Sequence, residues 1–329
     1  MATIHKEIKY SLDDIMLMPA DVSDIDSRSK VNPFVNGTLP IFTAPMPCVV
    51  NWETVELYRQ ANIIPIIPRG VDDIKRRIEH CTEGFVAFSL EEFTTYFVEG
   101  TTKPGNKKYA LIDIANGNMS SLGRKISRAK KLDNSLVIMA GNVANPYSYA
   151  YLSECGASYV RVSVGSGSAC TTATNTGIYY PMGSLLEECS AIQKRKLSQG
   201  SNAAKIIADG GINNFRNLNK ALAFADYVMI GSWFNKCVDS AGEIVKYYDS
   251  DKKLYYGMAS NYGAKMIGKK SKYPEGKLIY NDIICSIKEL AEQMEGYLRS
   301  TMSYCNAETL EEFRQKAQFN VVATTQFNK

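Results

Sequence analysis

The feature of this sequence that most constrains its fold is a series of short, almost continuous apolar runs that alternate with longer amphipathic segments. Such runs are typical of parallel strands buried on both faces of a sheet. Eight runs in a single series predict a (β/α)8 TIM barrel rather than the alternative, an open doubly wound sheet. A barrel needs roughly 250 residues plus insertions, and the chain has 329. The runs occupy residues 39–44, 62–68, 84–90, 109–115, 136–142, 158–164, 205–211 and 226–232.

Two insertions interrupt the alternation. Residues 165–180, "GSGSACTTATNTGIYY", separate the sixth predicted strand from its helix. Residues 250–282 follow the eighth strand, are rich in Lys, Gly and Tyr, and are predicted to form a surface flap. Residues 282–317 predict a C-terminal extension of two helices, so we expect one TIM-barrel catalytic domain over residues 1–329. The helices predicted between strands are residues 71–81, 122–132, 146–155, 183–197 and 215–224.

Composition and charge argue against several classes of protein. The formal net charge is +4, and no dense Lys/Arg block with interleaved aromatic residues indicates nucleic-acid binding. The N-terminus has no apolar signal core, and no apolar run approaches the ~20 residues of a membrane span. Eight cysteines are scattered without a CxxC pair, which predicts reduced cytosolic thiols rather than a disulfide framework. We therefore expect a cytoplasmic protein without a nucleic-acid or membrane partner.

Loops at the carboxyl ends of the predicted strands carry the residues that indicate a site. Enzymes with this fold place their sites there, often with a phosphate bound by the loops after strands seven and eight. Strand seven ends in Asp209, Gly210 and Gly211, and strand eight ends in Gly231 and Ser232. Exposed backbone N–H groups at such glycines suit an anion, and an acidic residue can accept hydrogen bonds from a ribose. Singly these are ordinary tight turns, but together they favour a nucleotide phosphate.

Cys170 lies beyond two glycines of the first insertion, in a loop that can approach a ligand closely. A deprotonated cysteine is a strong nucleophile, and its usual activating partner is histidine. The chain has only His5, in the N-terminal tail, and His80, on a predicted outer helix. Thr172 and Glu275 are therefore the candidates for moving a proton. The alternative is that Cys170 is a buried inert thiol, as we expect for most of the other cysteines.

An ordered set of motifs resembles the IMP dehydrogenase/GMP reductase family over nearly the whole chain. The set consists of "SLDDIMLMP", "MAGNV", "GSGSACTT", "ADGGI", "YYGMAS" and "GYLRSTMSYCNAETLEEF". "DIANG" and "YPEGK" are closer to the reductase branch, and the loop between Met258 and Glu275 is too short for the Arg-Tyr flap of dehydrogenases. No insertion is long enough for a CBS regulatory pair. The resemblance thus implies a GMP reductase-like oxidoreductase.

The resemblance also implies a mechanism. Cys170 adds to C2 of a guanine nucleotide, ammonia leaves to give a thioimidate, and hydride from NADPH then yields IMP. Thr172 and Glu275 are the implied acid/base pair, because ammonia leaves readily only when protonated. Two alternatives stay open: oxidation of IMP to XMP as in IMP dehydrogenase, and a nucleotide-binding barrel that has lost turnover.

Carried over position by position, the resemblance implies ligands for a purine nucleotide monophosphate, NADPH and K⁺, in a homotetramer. The implied dinucleotide contacts include two residues from a neighbouring subunit, Ser300 and Thr301. The remaining dinucleotide contacts are Ser27, Arg28, Asp113 and Ala115. Carbonyls of Gly165, Gly167 and Cys170 are the implied ligands of the monovalent cation. The implied nucleotide contacts are Ser168, Asp209, Gly210, Gly211, Gly231, Ser232, Gly257, Met258 and Gly276.

The sequence departs from the family pattern at a few places near the implied site. Pro47 and Cys48 replace a polar pair in the strand-one loop. The segment 89–93 replaces a loop rich in Ser and Gly. Ala173 and Lys272 stand where the family usually has arginine. These positions bear on base specificity and cofactor preference.

Overall fold

The computed structural model describes residues 3, 5–71, 73–100, 108–266, 268 and 272–322. Its strands are β1 (Ile15–Met18), β2 (Ile41–Thr43), β3 (Val86–Phe88), β4 (Tyr109–Ile112), β5 (Val137–Val143), β6 (Tyr159–Val162), β7 (Lys205–Asp209), β8 (Tyr227–Ile230), β9 (Ile244–Tyr247), β10 (Ser250–Tyr256), β11 (Leu278–Asp282) and β12 (Gln318–Val321). Its α-helices are α1 (Val55–Gln60), α2 (Ile74–His80), α3 (Leu90–Thr94), α4 (Ser120–Leu132), α5 (Pro146–Glu154), α6 (Thr172–Thr176), α7 (Met182–Ser198), α8 (Phe215–Leu222), α9 (Ser232–Asn235), α10 (Asn261–Met266), α11 (Ile287–Tyr304) and α12 (Leu310–Lys316).

A parallel sheet of seven strands, in the order β2-β8-β7-β6-β5-β4-β3, forms the centre of the molecule. Every residue of β2, β3 and β8 is buried, as the continuous apolar runs predicted. The sheet therefore confirms an α/β fold, and its parallel strands are consistent with the TIM-barrel family.

The predicted strand at residues 62–68 does not form a regular strand. Its backbone makes isolated parallel bridges from Ile64 to Phe42 and from Ile67 to Val86, one to each edge of the sheet. The physical reason is its sequence, "NIIPIIP", because Pro65 and Pro68 have no N–H to donate to a neighbouring strand. The prediction of eight regular strands is therefore wrong at this one segment.

Aromatic contacts inside the sheet show that it is curled. Phe42 belongs to one edge strand and Phe85 immediately precedes the other, yet their ring centroids are 5.7 Å apart. Phe42 also lies 5.0 Å from Tyr227 and 6.0 Å from Tyr159. A flat sheet of seven strands would hold its edges roughly 28 Å apart at the usual spacing of about 4.7 Å, so curvature brings the two edges together.

The five helices predicted between strands are confirmed as α2, α4, α5, α7 and α8, each within three residues of the predicted limits. Side-chain caps explain where α2, α5 and α8 begin. Asn145 caps α5, which starts with a proline, and Asn214 caps α8. No helix in the described part of the chain is long and apolar enough to cross a membrane.

The segment predicted as a flap is mostly regular structure. β9, β10 and β11 form an antiparallel sheet in the order β11-β10-β9, and α10 lies between β10 and β11. Residues 267 and 269–271 of that segment lie outside the described residues. The two helices expected in the C-terminal part are α11 and α12, and β12 then pairs antiparallel with β1.

Candidate active site

The loop after β6 holds Cys170 in a fixed position. Gly165 has φ +82°, and an added β-carbon there would lie 2.8 Å from the β-carbon of Ala173. The N–H of Cys170 donates to the carbonyl of Gly167 at 2.9 Å, which closes a turn. The thiol is partly exposed, so it can meet a ligand.

The segment 275–277 crosses to this loop from the insertion after β8. Gly276 pairs with Cys170 as an antiparallel bridge. The carbonyl of Glu275 accepts the N–H of Thr171 at 3.0 Å. Backbone pairing, rather than side-chain contact alone, therefore positions Glu275 beside the cysteine loop.

Three side chains form a chain of hydrogen bonds. The Cys170 thiol donates to Thr172 Oγ1 at 3.3 Å, and the Thr172 hydroxyl donates to Glu275 Oε2 at 2.6 Å. The second distance is in the range of a charge-assisted O–H···O⁻ bond. His80 instead packs edge-on against Trp52, with the ring centroids 4.9 Å apart. A proton path from the thiol to a carboxylate thus exists without histidine.

A cavity of about 220 Å³ opens beside Cys170 and Glu275. Part of its wall requires glycine. Gly210 has φ +98°, and an added β-carbon would lie 2.9 Å from Ser166 Oγ. All the residues predicted to bind the nucleotide line this one cavity: Ser168, Asp209, Gly210, Gly211, Gly231, Ser232, Gly257, Met258 and Gly276.

A second cavity of about 190 Å³ adjoins the first. Cys170 and Asp209 line both cavities, whereas Thr172 and Ala115 line only the second. Asp113, predicted to contact the dinucleotide, lines the first. The thiol therefore lies where two ligands can meet.

The three residues predicted to bind K⁺ lie in one loop, and Gly165, Gly167 and Cys170 all line the second cavity. The carbonyl of Gly167 accepts the N–H of Cys170 but retains a second lone pair. The loop thus suits a cation held by backbone oxygens, and K⁺ binding stays a prediction.

A buried ion-pair network connects the two candidate ligand regions. Arg161 Nε donates to Asp209 Oδ2 at 2.9 Å, and Arg161 Nη1 donates to Asp113 Oδ1 at 2.9 Å. Arg69 Nη2 donates to Asp113 Oδ2 at 3.2 Å, and Asn142 Nδ2 donates to Asp209 Oδ2 at 2.7 Å. Burial raises the pKa of Asp113, but Arg161 and Arg69 outweigh it and hold that pKa below its ordinary value.

Sequence analysis missed Arg69, Asn142 and Arg161. One signal could have identified Arg161: it is the lone charge in the apolar run at 158–164. A charge in a strand buried on both faces requires an opposite charge nearby. Asn142 and Arg69 carry no comparable signal, because polar residues at strand ends are ordinary.

Four predicted dinucleotide contacts line neither cavity among the described residues. The segment that leads to the first two of them packs on α11, where Ala20 N–H donates to the carbonyl of Tyr304 at 2.9 Å. Thr301 Oγ1 accepts a bond from Asn219 Nδ2 at 2.6 Å. These four residues are Ser27, Arg28, Ser300 and Thr301, and their contact with a dinucleotide stays a prediction, made for Ser300 and Thr301 from a neighbouring subunit.

None of the departures from the family pattern lines the cavity, within the part of the chain that is described. Cys48 is buried, which raises the pKa of its thiol to about 12. Ala173 faces Gly165 instead. The Lys272 ammonium lies 5.5 Å from the centre of the Tyr273 ring. Ser89 caps α3, and Glu92 pairs with Arg77 at 2.6 Å.

Comparison with known proteins identifies the family. A model described as "IMP dehydrogenase / GMP reductase domain" matches residues 108–328, and the chain belongs to this family. GMP reductase 1 of Homo sapiens is 30% identical, over 100% of this chain and 99% of the human protein. GMP reductase of Staphylococcus epidermidis is 30% identical, over 97% of this chain and 98% of its own length. GMP reductase of Buchnera aphidicola is 28% identical, over 96% of this chain and 95% of its own length.

Proposed function

We propose that this protein is a GMP reductase, which converts GMP to IMP and ammonia with NADPH. The observation that supports this most directly is the hydrogen-bonded chain Cys170–Thr172–Glu275. A second supporting observation is that all the predicted nucleotide contacts line one cavity beside Cys170. The likeness to full-length GMP reductases supports the same reaction.

Each of these residues has a separate role in the proposed reaction. The Cys170 thiolate bonds to C2 of the purine. Glu275, in its acid form, passes a proton through Thr172 to the 2-amino group, which leaves as ammonia while C2 stays bonded to sulfur. NADPH supplies a hydride. When C2 accepts that hydride, the C–S bond breaks and Cys170 is released as a thiolate.

Binding contacts follow from the same arrangement. Asp209 Oδ2 accepts hydrogen bonds from Arg161 and Asn142, and Oδ1 remains to accept one from a ribose hydroxyl. Backbone N–H groups at Gly211 and Ser232 are assigned to the phosphate. The second cavity is assigned to the nicotinamide end of the dinucleotide, because it adjoins Cys170.

The proposal extends to architecture and assembly. The segment 62–68 closes the seven-stranded sheet into a complete (β/α)8 barrel that forms one catalytic domain; its bridges to both sheet edges support this. Ser27 and Arg28 contact the dinucleotide, and Ser300 and Thr301 act in a neighbouring copy's site within a homotetramer. Eight free thiols support a cytoplasmic location.

A pair of assays tests the proposed function. Purified protein is mixed with GMP and NADPH in one arm and with IMP and NAD⁺ in the other, and the absorbance of reduced nicotinamide is followed. We expect oxidation of NADPH with release of ammonia in the first arm only. Turnover confined to the second arm would assign the protein to the dehydrogenase branch. GMP binding without turnover in either arm would indicate an inactive barrel.

A further inference from the structure

The insertion that carries Glu275 leaves and rejoins the body of the protein at two cysteines. Cys237 follows the end of α9 by two residues, and Cys285 precedes the start of α11 by two residues. Between them lie β9, β10, β11 and α10, together with Gly257, Met258 and Gly276 of the candidate site. The two cysteines therefore mark the roots of the insertion.

The two roots are hydrogen-bonded to each other. Val238 N–H donates to the carbonyl of Cys285 at 2.9 Å, and Ile284 N–H donates to the carbonyl of Lys236 at 3.1 Å. Because these two bonds flank both cysteines, they hold the two backbones side by side, and a disulfide needs Cα atoms roughly 4.4–6.8 Å apart. The side chains are close to each other as well, because each thiol shifts the pKa of the other.

Their exposure differs in a useful way. Cys237 is fully buried, whereas Cys285 is partly exposed, and both thiols are free. A reagent in solvent can thus reach Cys285 but not Cys237. Burial raises the pKa of both thiols, so any reaction starting from the thiol form is slow near neutral pH.

We propose that Cys237 and Cys285 are a site of reversible disulfide formation that ties the roots of the insertion together. The oxidant is a low-molecular-weight disulfide of the glutathione type. The Cys285 thiolate attacks one sulfur of that reagent and expels one small thiolate. Cys237 then gives up its proton, attacks the Cys285 sulfur of the mixed disulfide, and expels the second. The protein loses two protons and two electrons, and the reagent becomes two thiols.

This chemistry does not depend on the reaction proposed above, but it bears on the same insertion. A closed link would enclose the residues between positions 237 and 285 in a covalent loop. Cross-links of this kind restrict the unfolded chain. The oxidised protein should therefore unfold at a higher temperature, with the insertion, including Glu275, held more firmly to the barrel.

Peptide mapping tests the proposal directly. The Cys170→Ala variant removes the exposed candidate nucleophile and is incubated with oxidised glutathione. Remaining thiols are then alkylated, and the protein is digested with trypsin without reduction. The sequence makes the target unambiguous, because Lys236, Lys246, Lys277 and Lys288 delimit peptides 237–246 and 278–288, each with one cysteine. We expect these two peptides joined, two hydrogen atoms lighter than their sum, and separated by a reductant.

Two matched variants complete the test. Cys285→Ser in the same background should abolish the joined peptide and the rise in melting temperature. Cys189→Ser, which removes another buried cysteine, should retain both. Two results of the mapping would overturn the proposal. In the first, Cys285 is recovered only as its glutathione adduct. In the second, peptides 237–246 and 278–288 are recovered only as alkylated monomers after long incubation. Persistence of the melting shift in Cys285→Ser would overturn it too.

Discussion

Replacing Glu275 by glutamine tests the proton path in isolation. The carboxylate accepts the Thr172 hydroxyl at 2.6 Å, and an amide of the same shape can accept the same bond but cannot take up and return a proton. The backbone of residue 275, which donates to Ala259 at 3.2 Å and accepts from Thr171 at 3.0 Å, is unchanged by the substitution. The variant should therefore fold and bind nucleotide normally.

The expected loss of activity in Glu275→Gln follows from the proposed role of Glu275 in general acid–base catalysis. General acid–base catalysis contributes typically 10²- to 10⁴-fold, about 3–5 kcal/mol at 1.36 kcal/mol per tenfold change. Glu275 is the only carboxylate of the chain that Thr172 contacts among the described residues, so no second group can replace it at full rate. We expect kcat for GMP to fall by roughly that factor, with KM little changed.

Partial reactions show which step is lost. In the reverse direction, IMP and NADP⁺ should still give the Glu275→Gln variant a burst of NADPH, because hydride leaves C2 as the covalent adduct forms. Adding ammonia should then fail to form GMP at the wild-type rate. Thr172→Val, which removes the hydroxyl, should behave like Glu275→Gln, whereas Thr172→Ser should keep most activity. Loss of the burst while IMP still binds would refute this role and assign Glu275 to activation of Cys170.

Four further predictions follow from the same site. Cys170→Ala should abolish turnover while GMP binds nearly as well by calorimetry, and NADPH oxidation at a normal rate would contradict covalent catalysis. Arg161→Met leaves two largely buried carboxylates, with side chains 15% and 13% exposed, without their shared guanidinium. It should lower the free energy of unfolding by about 1–3 kcal/mol, with Arg161→Lys affected less in the same denaturant titration. Because Arg161 depresses the pKa of Asp113, wild-type stability should fall as pH drops below about 4, and Arg161→Met should show a smaller fall. Activity should be higher in potassium than in a bulky organic cation, and equal rates would count against the carbonyl site.

Local sequence pattern predicted the sheet and the helices between strands because each depends on residues close in the chain. Buried parallel strands need continuous apolar runs, and β7 and β8 are such runs. The segment 62–68 has the same apolar character, but its two prolines prevent regular pairing. The pairing of β1 with β12 could not be predicted, since it joins segments about 300 residues apart and neither has a distinctive pattern.

Site residues could be predicted from the sequence where they lie at the carboxyl ends of neighbouring strands. Asp209 and Gly231 end neighbouring parallel strands, so their carboxyl ends must lie together. The partners of Arg161 were not predictable, because ion pairs across the sheet depend on side-chain direction. Glu275 was a candidate from the sequence as a loop acid, but its place beside Cys170 came from the family resemblance, since nothing local to the insertion indicates which residue it presents to Cys170.

One turn of the insertion links nucleotide contacts to the acid. Ser260 Oγ donates to the carbonyl of Gly257 at 2.6 Å and accepts the N–H of Gly263 at 3.0 Å. The adjacent Ala259 accepts the N–H of Glu275. Any ligand that orders the Gly257 loop therefore also orders the backbone that holds Glu275. Because catalysis depends on placing reactive groups before the reaction begins, nucleotide binding should also help to set the proton path, and free enzyme should hold that path less firmly.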